Sequence, residues 1–214
     1  MLDPSRLGLY VLTPGGVIPG RGDLEIARAA IEGGADAVQL RAPGIPDEAI
    51  RELAVAIGER CRAGGVLFIV NDRLAVAMDA GADGVHLGQD DDPHRAREAL
   101  GDRVLGVSVH TPEQARIAEL AGADYVAVTV WATATKPEAV PRSIEGLREV
   151  VVATTLPVVG IGGIGADNAR EVLAAGASGV AVISAVAGAR DPVAATRELR
   201  RVVDRYREQR GGDA

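Results

Sequence analysis

The sequence predicts a single-domain α/β fold, a closed (β/α)8 TIM barrel over residues 1–214, on three observations. Eight short apolar runs alternate with helical patterns, one phrase recurs four times, and polar residues gather where the runs end. Continuous apolar runs separated by helices mark parallel strands buried on both faces. A fourfold echo across eight such units favours a closed barrel over an open doubly wound sheet.

The first strand covers residues 8–12. A helical pattern over 24–32 then leads through Gly34-Ala35-Asp36 into the second strand, 37–40. The third covers 67–70, and Gly81-Ala82-Asp83 introduces the fourth, 84–87. The fifth covers 104–107, and Gly122-Ala123-Asp124 introduces the sixth, 125–128. The seventh covers 158–161, and a helical pattern over 166–175 leads through Gly176-Ala177-Ser178 into the eighth, 179–182. The four phrases stand 47, 41 and 54 residues apart, the length of two strand-plus-helix units. Each phrase's glycine reads as the residue just past a helix end, free to take positive φ. Asp23, Asp92-Pro93, Thr111-Pro112 and Asp191-Pro192 place capping side chains at or near helix starts. Only the connections 13–21 and 131–142 are long enough to act as lids. A barrel of this type typically takes ~250 residues, so the other connections must be tight. The tail from about 208 to 214 is expected to be disordered.

The chain has 214 residues, 47% apolar and 25% charged, a balance that excludes disorder and collagen. At this length folding buries about 70% of the unfolded surface, so neither disulfides nor metal staples are required. Lys and Arg number 23 against 30 Asp and Glu, a net charge of −7, and no segment interleaves basic residues with aromatics. That balance speaks against a nucleic-acid partner. Cys61, the single cysteine, reads as a small buried helix residue and suits a reducing compartment, so a cytoplasmic location is expected. The apolar run 7–12 follows one arginine and lacks a cleavage site, so it reads as a strand and not as a signal peptide. No apolar stretch approaches the ~18 residues of a membrane span.

In a barrel, chemistry sits at the C-terminal ends of the strands. Those ends carry Gln39 and Arg41, Asn71 and Asp72, His86 through Asp91, Ser108 and His110, Thr129 with Thr133, Thr135 and Lys136, Gly162-Gly163, and Ser184. Gly162-Gly163 with Ser184 suits a phosphate, because glycines after the seventh strand let backbone N–H groups approach an anion. A plain tight turn is the alternative. Asp72 and Asp91, with Asp90 as a spare, read equally as helix caps and as two carboxylates holding Mg²⁺ beside phosphate oxygens. Lys136 with Thr133 and Thr135 reads equally as a solvated loop and as a second phosphate contact. Arg41 closes an apolar strand, and a charge there calls for a partner or a ligand. His86 and His94 read as structural, while His110 near the mouth stays open. Nucleophile-elbow, P-loop and dinucleotide spacings are absent. The residues alone therefore lead to a barrel that binds a phosphorylated small molecule, with Mg²⁺ as the expected metal.

At these residues the chain resembles the thiamine phosphate synthase family, whose sister group is thiazole tautomerase. The resemblance runs through Phe68-Ile69-Val70-Asn71-Asp72-Arg73, then Gly81 through Asp91, Gly106-Val107-Ser108, Thr133-Ala134-Thr135-Lys136, Gly160 through Ile164, and Val182-Ile183-Ser184. It implies a transferase that joins hydroxymethylpyrimidine diphosphate to hydroxyethylthiazole phosphate and releases pyrophosphate. Asp72 and Asp91 would bind Mg²⁺. Gln39, Arg41, Asn71, Ser108 and Lys136 would hold the pyrimidine and its diphosphate, with Arg41, Asn71, Ser108 and Lys136 closest to the chemistry. Thr133, Thr135, Gly163, Ile183 and Ser184 would hold the thiazole phosphate. The family's diphosphate leaves first, and the thiazole nitrogen captures the resulting pyrimidine-methyl cation.

Two departures stand out. The family's Gln-Leu-Arg-Glu-Lys becomes Gln39-Leu40-Arg41-Ala42-Pro43, which removes a charge-assisted phosphate contact worth about 1.5–3 kcal/mol. The family's Gly-Pro before the threonine loop becomes Thr129-Val130, followed by Trp131. The same resemblance admits thiazole tautomerase, whose characteristic histidine would fall at Val130, and a thiazole- or thiamine-phosphate-binding protein without turnover.

Overall fold

The computed structural model describes residues 2–88, 91–135, 137 and 139–211. Eight parallel strands close into one barrel in sequence order, each hydrogen-bonded to the next and the last to the first. They are β1 (Leu9–Leu12), β2 (Ala37–Leu40), β3 (Leu67–Asn71), β4 (Gly84–Leu87), β5 (Val104–Ser108), β6 (Tyr125–Thr129), β7 (Val158–Ile161) and β8 (Gly179–Val182). Every predicted strand is present, and the third, fifth and sixth run one residue further, through Asn71, Ser108 and Thr129.

The helices are α1 (Asp23–Gly33), α2 (Asp47–Gly64), α3 (Leu74–Asp79), α4 (Pro93–Leu100), α5 (Pro112–Leu120), α6 (Ser143–Ala153), α7 (Ala169–Ala174), α8 (Ser184–Ala187) and α9 (Pro192–Gly211). The short α8 is an extra turn after β8, so α9 is the helix that completes the ring against α1. No helix among the described residues is long and apolar enough to cross a membrane.

Two layers of core follow from the strand period of two. Leu67, Ile69, Ala127, Val159 and Ala181 point into the barrel with Tyr10 and Tyr125. Val11, Val38, Val70, Val85, Leu105, Val126 and Val180 point outward against the helices. Cys61 is buried on α2, and burial pushes its thiol up to about 12.

The recurring phrase works at the barrel floor. All four of its glycines take positive φ: Gly34, Gly81, Gly122 and Gly176. In the three copies that carry an aspartate, its carboxylate reaches back to an N–H at the first or second residue of the preceding strand. Leu9 donates to Asp36, Phe68 to Asp83, and Leu105 to Asp124, each at 2.8 Å. Arg200 from α9 pairs with Asp36 at 2.6 Å, and Arg97 from α4 pairs with Asp124 at 2.7 Å. These carboxylates satisfy backbone donors that the sheet ladder leaves over and bind the helical ring to the floor.

Three expectations change. Gly22 caps α1, and the Asp23 carboxylate instead accepts from the Gly15 N–H at 2.7 Å, tying down the first long loop. The helix expected over 166–175 covers only Ala169–Ala174, because Asn168 accepts from the Gly165 N–H and folds the preceding residues into a turn. The tail expected to be disordered from 208 is helical through Gly211. Glu208, Gln209 and Arg210 are good helix formers, and Arg170 donates to Gln209 at 3.2 Å. Residues 212–214 lie outside the described residues. Asp92, Thr111 and Asp191 accept from backbone N–H groups at their helix starts as expected.

Replacing Asp124 by alanine leaves the N–H of buried Leu105 and the Arg97 guanidinium without their carboxylate. Urea unfolding of Asp124→Ala should show a loss of about 2 kcal/mol with an unchanged slope. An unshifted midpoint would show that the floor does not depend on this contact.

Candidate active site

A cleft of about 810 Å³, open water included, lies at the C-terminal ends of the strands. The period of two that fills the barrel also selects its wall. Counting inward positions from Ala37 gives Gln39 and, just past the strand, Arg41; on the other strands it gives Asn71, His86, Ser108 and Thr129. All six line the cleft. So do Thr133, Thr135, Gly163, Ile183 and Ser184, so every predicted binding residue among the described ones is in one place. Lys136 and Asp90 lie outside the described residues.

Arg41 is held from behind. Thr13, fully buried, accepts from the Arg41 N–H at 3.1 Å, and the Thr13 N–H donates to the Gln39 carbonyl at 2.9 Å. Those bonds fix the end of β2 and tie the loop 13–21 to it, so that loop is anchored at its base and is no free lid. The Arg41 Nη1 is buried and has no hydrogen-bond partner among the described residues. A buried guanidinium nitrogen in that state is poised for an anion. Gln39, 2% exposed, donates from Nε2 to the Tyr10 hydroxyl at 2.7 Å, while its Oε1 is buried without a partner among the described residues.

Tyr10 and Tyr125 meet hydroxyl to hydroxyl at 3.0 Å across the barrel, with rings edge-on at 6.1 Å. Tyr125 continues to His86 Nδ1 at 3.0 Å, and His86 Nε2 to Ser108 Oγ at 3.0 Å. Gly106 makes this arrangement possible, since a Cβ there would stand 2.4 Å from the Tyr125 hydroxyl oxygen. Burial pushes both phenols above their ordinary range, so both stay protonated. His86, read from sequence as structural, therefore faces the cleft. Tyr10 and Tyr125 sit inside apolar strands and carry no strand-end signal, although their inward register marks them. His94 is exposed on α4, as expected.

The far wall is shaped by backbone. Gly162 and Gly163 take φ of +92° and +64°, and a Cβ at Gly162 would stand 2.6 Å from the Trp131 carbonyl oxygen. Only glycine fits there. Asn168 donates to the Gly163 carbonyl at 2.9 Å and accepts from Gly165, clamping the turn. The Thr133 and Thr135 hydroxyls meet at 2.9 Å on the loop that backs onto these glycines.

Asp72 and Asp91 stand exposed on the loops after neighbouring β3 and β4 and are not among the residues lining the cleft. Asp72 occupies the apex of a three-residue turn that Arg73 N–H closes onto the Asn71 carbonyl at 2.7 Å, with φ +61°. This is the rare, strained form of the γ-turn, which fits a residue held for its side chain. Helix capping is realised by Asp92 and not by Asp72, because α3 has no side-chain cap. Asp91 accepts from the Gly88 N–H at 2.9 Å. Among the described residues no three His, Cys, Asp or Glu side chains gather. Two hard carboxylates at a substrate-open rim suit Mg²⁺, which keeps waters and takes phosphate oxygens, better than a closed all-protein cage.

The loop with Pro43 in place of the family's lysine is braced by Arg73, which donates to the Ala42 carbonyl at 2.8 Å and pairs with Asp47. At the position of the tautomerase histidine, Val130 is 1% exposed and packs in the outer layer, away from the cleft.

Comparison with known proteins agrees with this geometry. A family profile described as thiamine monophosphate synthase matches residues 9–186. The thiamine-phosphate synthase of Moorella thermoacetica is 50% identical over 203 residues, covering 93% of this chain and 97% of that one. The thiamine-phosphate synthase of Methanoregula boonei is 49% identical, covering 96% and 99%. The solved thiamine phosphate pyrophosphorylase from Pyrococcus furiosus superposes with a TM-score of 0.88 at 41% identity, covering 95% of this chain and 98% of that one. The chain belongs to the thiamine monophosphate synthase family.

Proposed function

We propose that this cleft carries out the thiamine-phosphate synthase reaction, a transfer of the pyrimidine-methyl group from hydroxymethylpyrimidine diphosphate to the nitrogen of hydroxyethylthiazole phosphate. Family membership supports the activity. The observation that supports the division of the cleft is a buried Arg41 Nη1, without a partner among the described residues, on one wall and the Gly162-Gly163 turn with Ser184 on the other.

The carbon–oxygen bond to the diphosphate breaks with its electron pair leaving on the diphosphate, and the thiazole lone pair then forms the carbon–nitrogen bond. No redox partner is needed. Arg41 and Asn71 would face the departing diphosphate, and Lys136 is assigned there by the family pattern. Asp72 and Asp91 would hold Mg²⁺, which when bound neutralises charge accumulating on the leaving group. The Gln39 Oε1 offers an acceptor to an amino donor on the pyrimidine. Thr133, Thr135, Gly163, Ile183 and Ser184 would seat the thiazole phosphate and orient its nitrogen. Tyr10, Ala127, Val159 and Ala181 give the cleft a largely apolar base, which would keep water from competing for a pyrimidine-methyl cation. The buried free Cys61 accords with a cytoplasmic location. Val130 supplies no titratable proton, so the tautomerase reading has no support at its key position.

Two variants separate the substrate sites. Ser184→Ala should raise KM for the thiazole phosphate about tenfold and leave KM for the pyrimidine diphosphate unchanged, as steady-state kinetics will read. An equal rise for both would overturn the division of the cleft. Asp72→Asn should lower turnover at limiting Mg²⁺ and shift the Mg²⁺ activation curve upward by roughly tenfold or more. Activation superimposable on the unaltered chain would remove Asp72 from the metal site.

A further inference from the structure

The chain of hydrogen bonds beneath the cleft, Gln39–Tyr10–Tyr125–His86–Ser108, links five strands across the barrel. We propose that it orders protons in one direction, so that Ser108 presents its hydroxyl hydrogen to the pyrimidine diphosphate, and that Tyr10, Tyr125 and His86 are positioning residues for the reaction. The proposal rests on the synthase reading for its substrate.

The order follows from counting protons. The chain has four contacts, between 2.7 and 3.0 Å, and each consumes one hydrogen. The Gln39 Nε2 can only donate, so the Tyr10 oxygen accepts there, and its single hydrogen goes to Tyr125, the other partner of that buried hydroxyl among the described residues. Tyr125, having accepted, gives its own hydrogen to His86 Nδ1. A neutral imidazole whose Nδ1 accepts carries its hydrogen on Nε2 and donates it to Ser108 Oγ. Ser108 has then accepted from behind, and its own hydrogen is left for the cleft. Both phenols keep their protons because they are buried, so each has one hydrogen to give.

The two ends are therefore coupled. Gln39 and Ser108 both line the cleft: Gln39 keeps an Oε1 acceptor without a partner among the described residues, and Ser108 is left with a hydrogen to donate. Turning the Gln39 amide round would reverse every bond and leave Ser108 facing the ligand with a lone pair. A donor directed at an anionic substrate stabilises charge as it builds, whereas a lone pair opposes it. A substrate that donates to Gln39 thereby holds Ser108 in its useful direction, about one barrel width away.

Nitrogen-15 NMR of His86 in the whole, unliganded chain at neutral pH tests the order directly and needs no variant. The proton is expected on Nε2; a proton on Nδ1 overturns the proposal. Tyr125→Phe should lower kcat roughly 10- to 100-fold with KM for the thiazole phosphate unchanged, and should add nothing in a Ser108→Ala background. An equal cost in both backgrounds would show that Tyr125 acts as packing alone. An active chain with the Nδ1 proton overturns the relay and spares the synthase reading. A chain with the Nε2 proton that makes no product overturns the synthase reading and the relay's part in it.

Discussion

Closing eight parallel strands on themselves leaves alternate residues facing the barrel axis, and that constraint decides what the mouth of the barrel can hold. The lower inward positions are apolar or small, with Ala37, Gly84, Gly106 and Ala181 leaving the axis free for Tyr10 and Tyr125. One step further up, the same register turns polar at Gln39, Asn71, His86 and Ser108. The site is thus a continuation of the core by one layer, in which hydrogen bonds replace apolar packing. Rotating any of these strands by one residue would turn its contribution outward into the helical layer.

The two ends of the barrel handle charge in opposite ways. At the floor, Asp36, Asp83 and Asp124 each accept from a strand N–H, and two of them are also paired with arginines from the helical ring. At the mouth, Arg41 is fixed through its backbone while its Nη1 has no partner among the described residues, and Asp72 is held at a strained φ. Satisfied groups at one end carry stability; at the other, the Arg41 Nη1, without a partner among the described residues, is available for a ligand. The family's missing lysine belongs to this second end, and the loop around Pro43 is held there by Arg73 rather than left loose.

Much of this was legible in the residues. The recurring phrase marks both the strands and the left-handed helix ends, and strand-end position alone gathers Gln39, Arg41, Asn71, Ser108, Thr133, Thr135, Gly163 and Ser184, with Ile183 added by the family resemblance. Tyr10, Tyr125 and His86 were harder, because an aromatic or a lone histidine on an apolar strand reads first as core. Their meaning depends on which inward positions oppose each other across the axis, and that is a property of the closed barrel. Asp23 reads as a cap from spacing alone, because local spacing cannot show the Gly15 N–H that claims its carboxylate. The roles of Asp72 and Asp91 depend on a metal and a substrate, so neither spacing nor the protein alone decides them.

The proposed reaction needs one cleft to bring a pyrimidine diphosphate and a thiazole phosphate together for transfer. Purified chain should be given both substrates with excess Mg²⁺ and then with chelator, and thiamine phosphate followed with time. The account predicts thiamine phosphate and pyrophosphate in equal amounts, with formation stopping on chelation. Absence of product under conditions where the thiazole phosphate still binds would contradict it and leave a barrel that recognises the ligand without joining it.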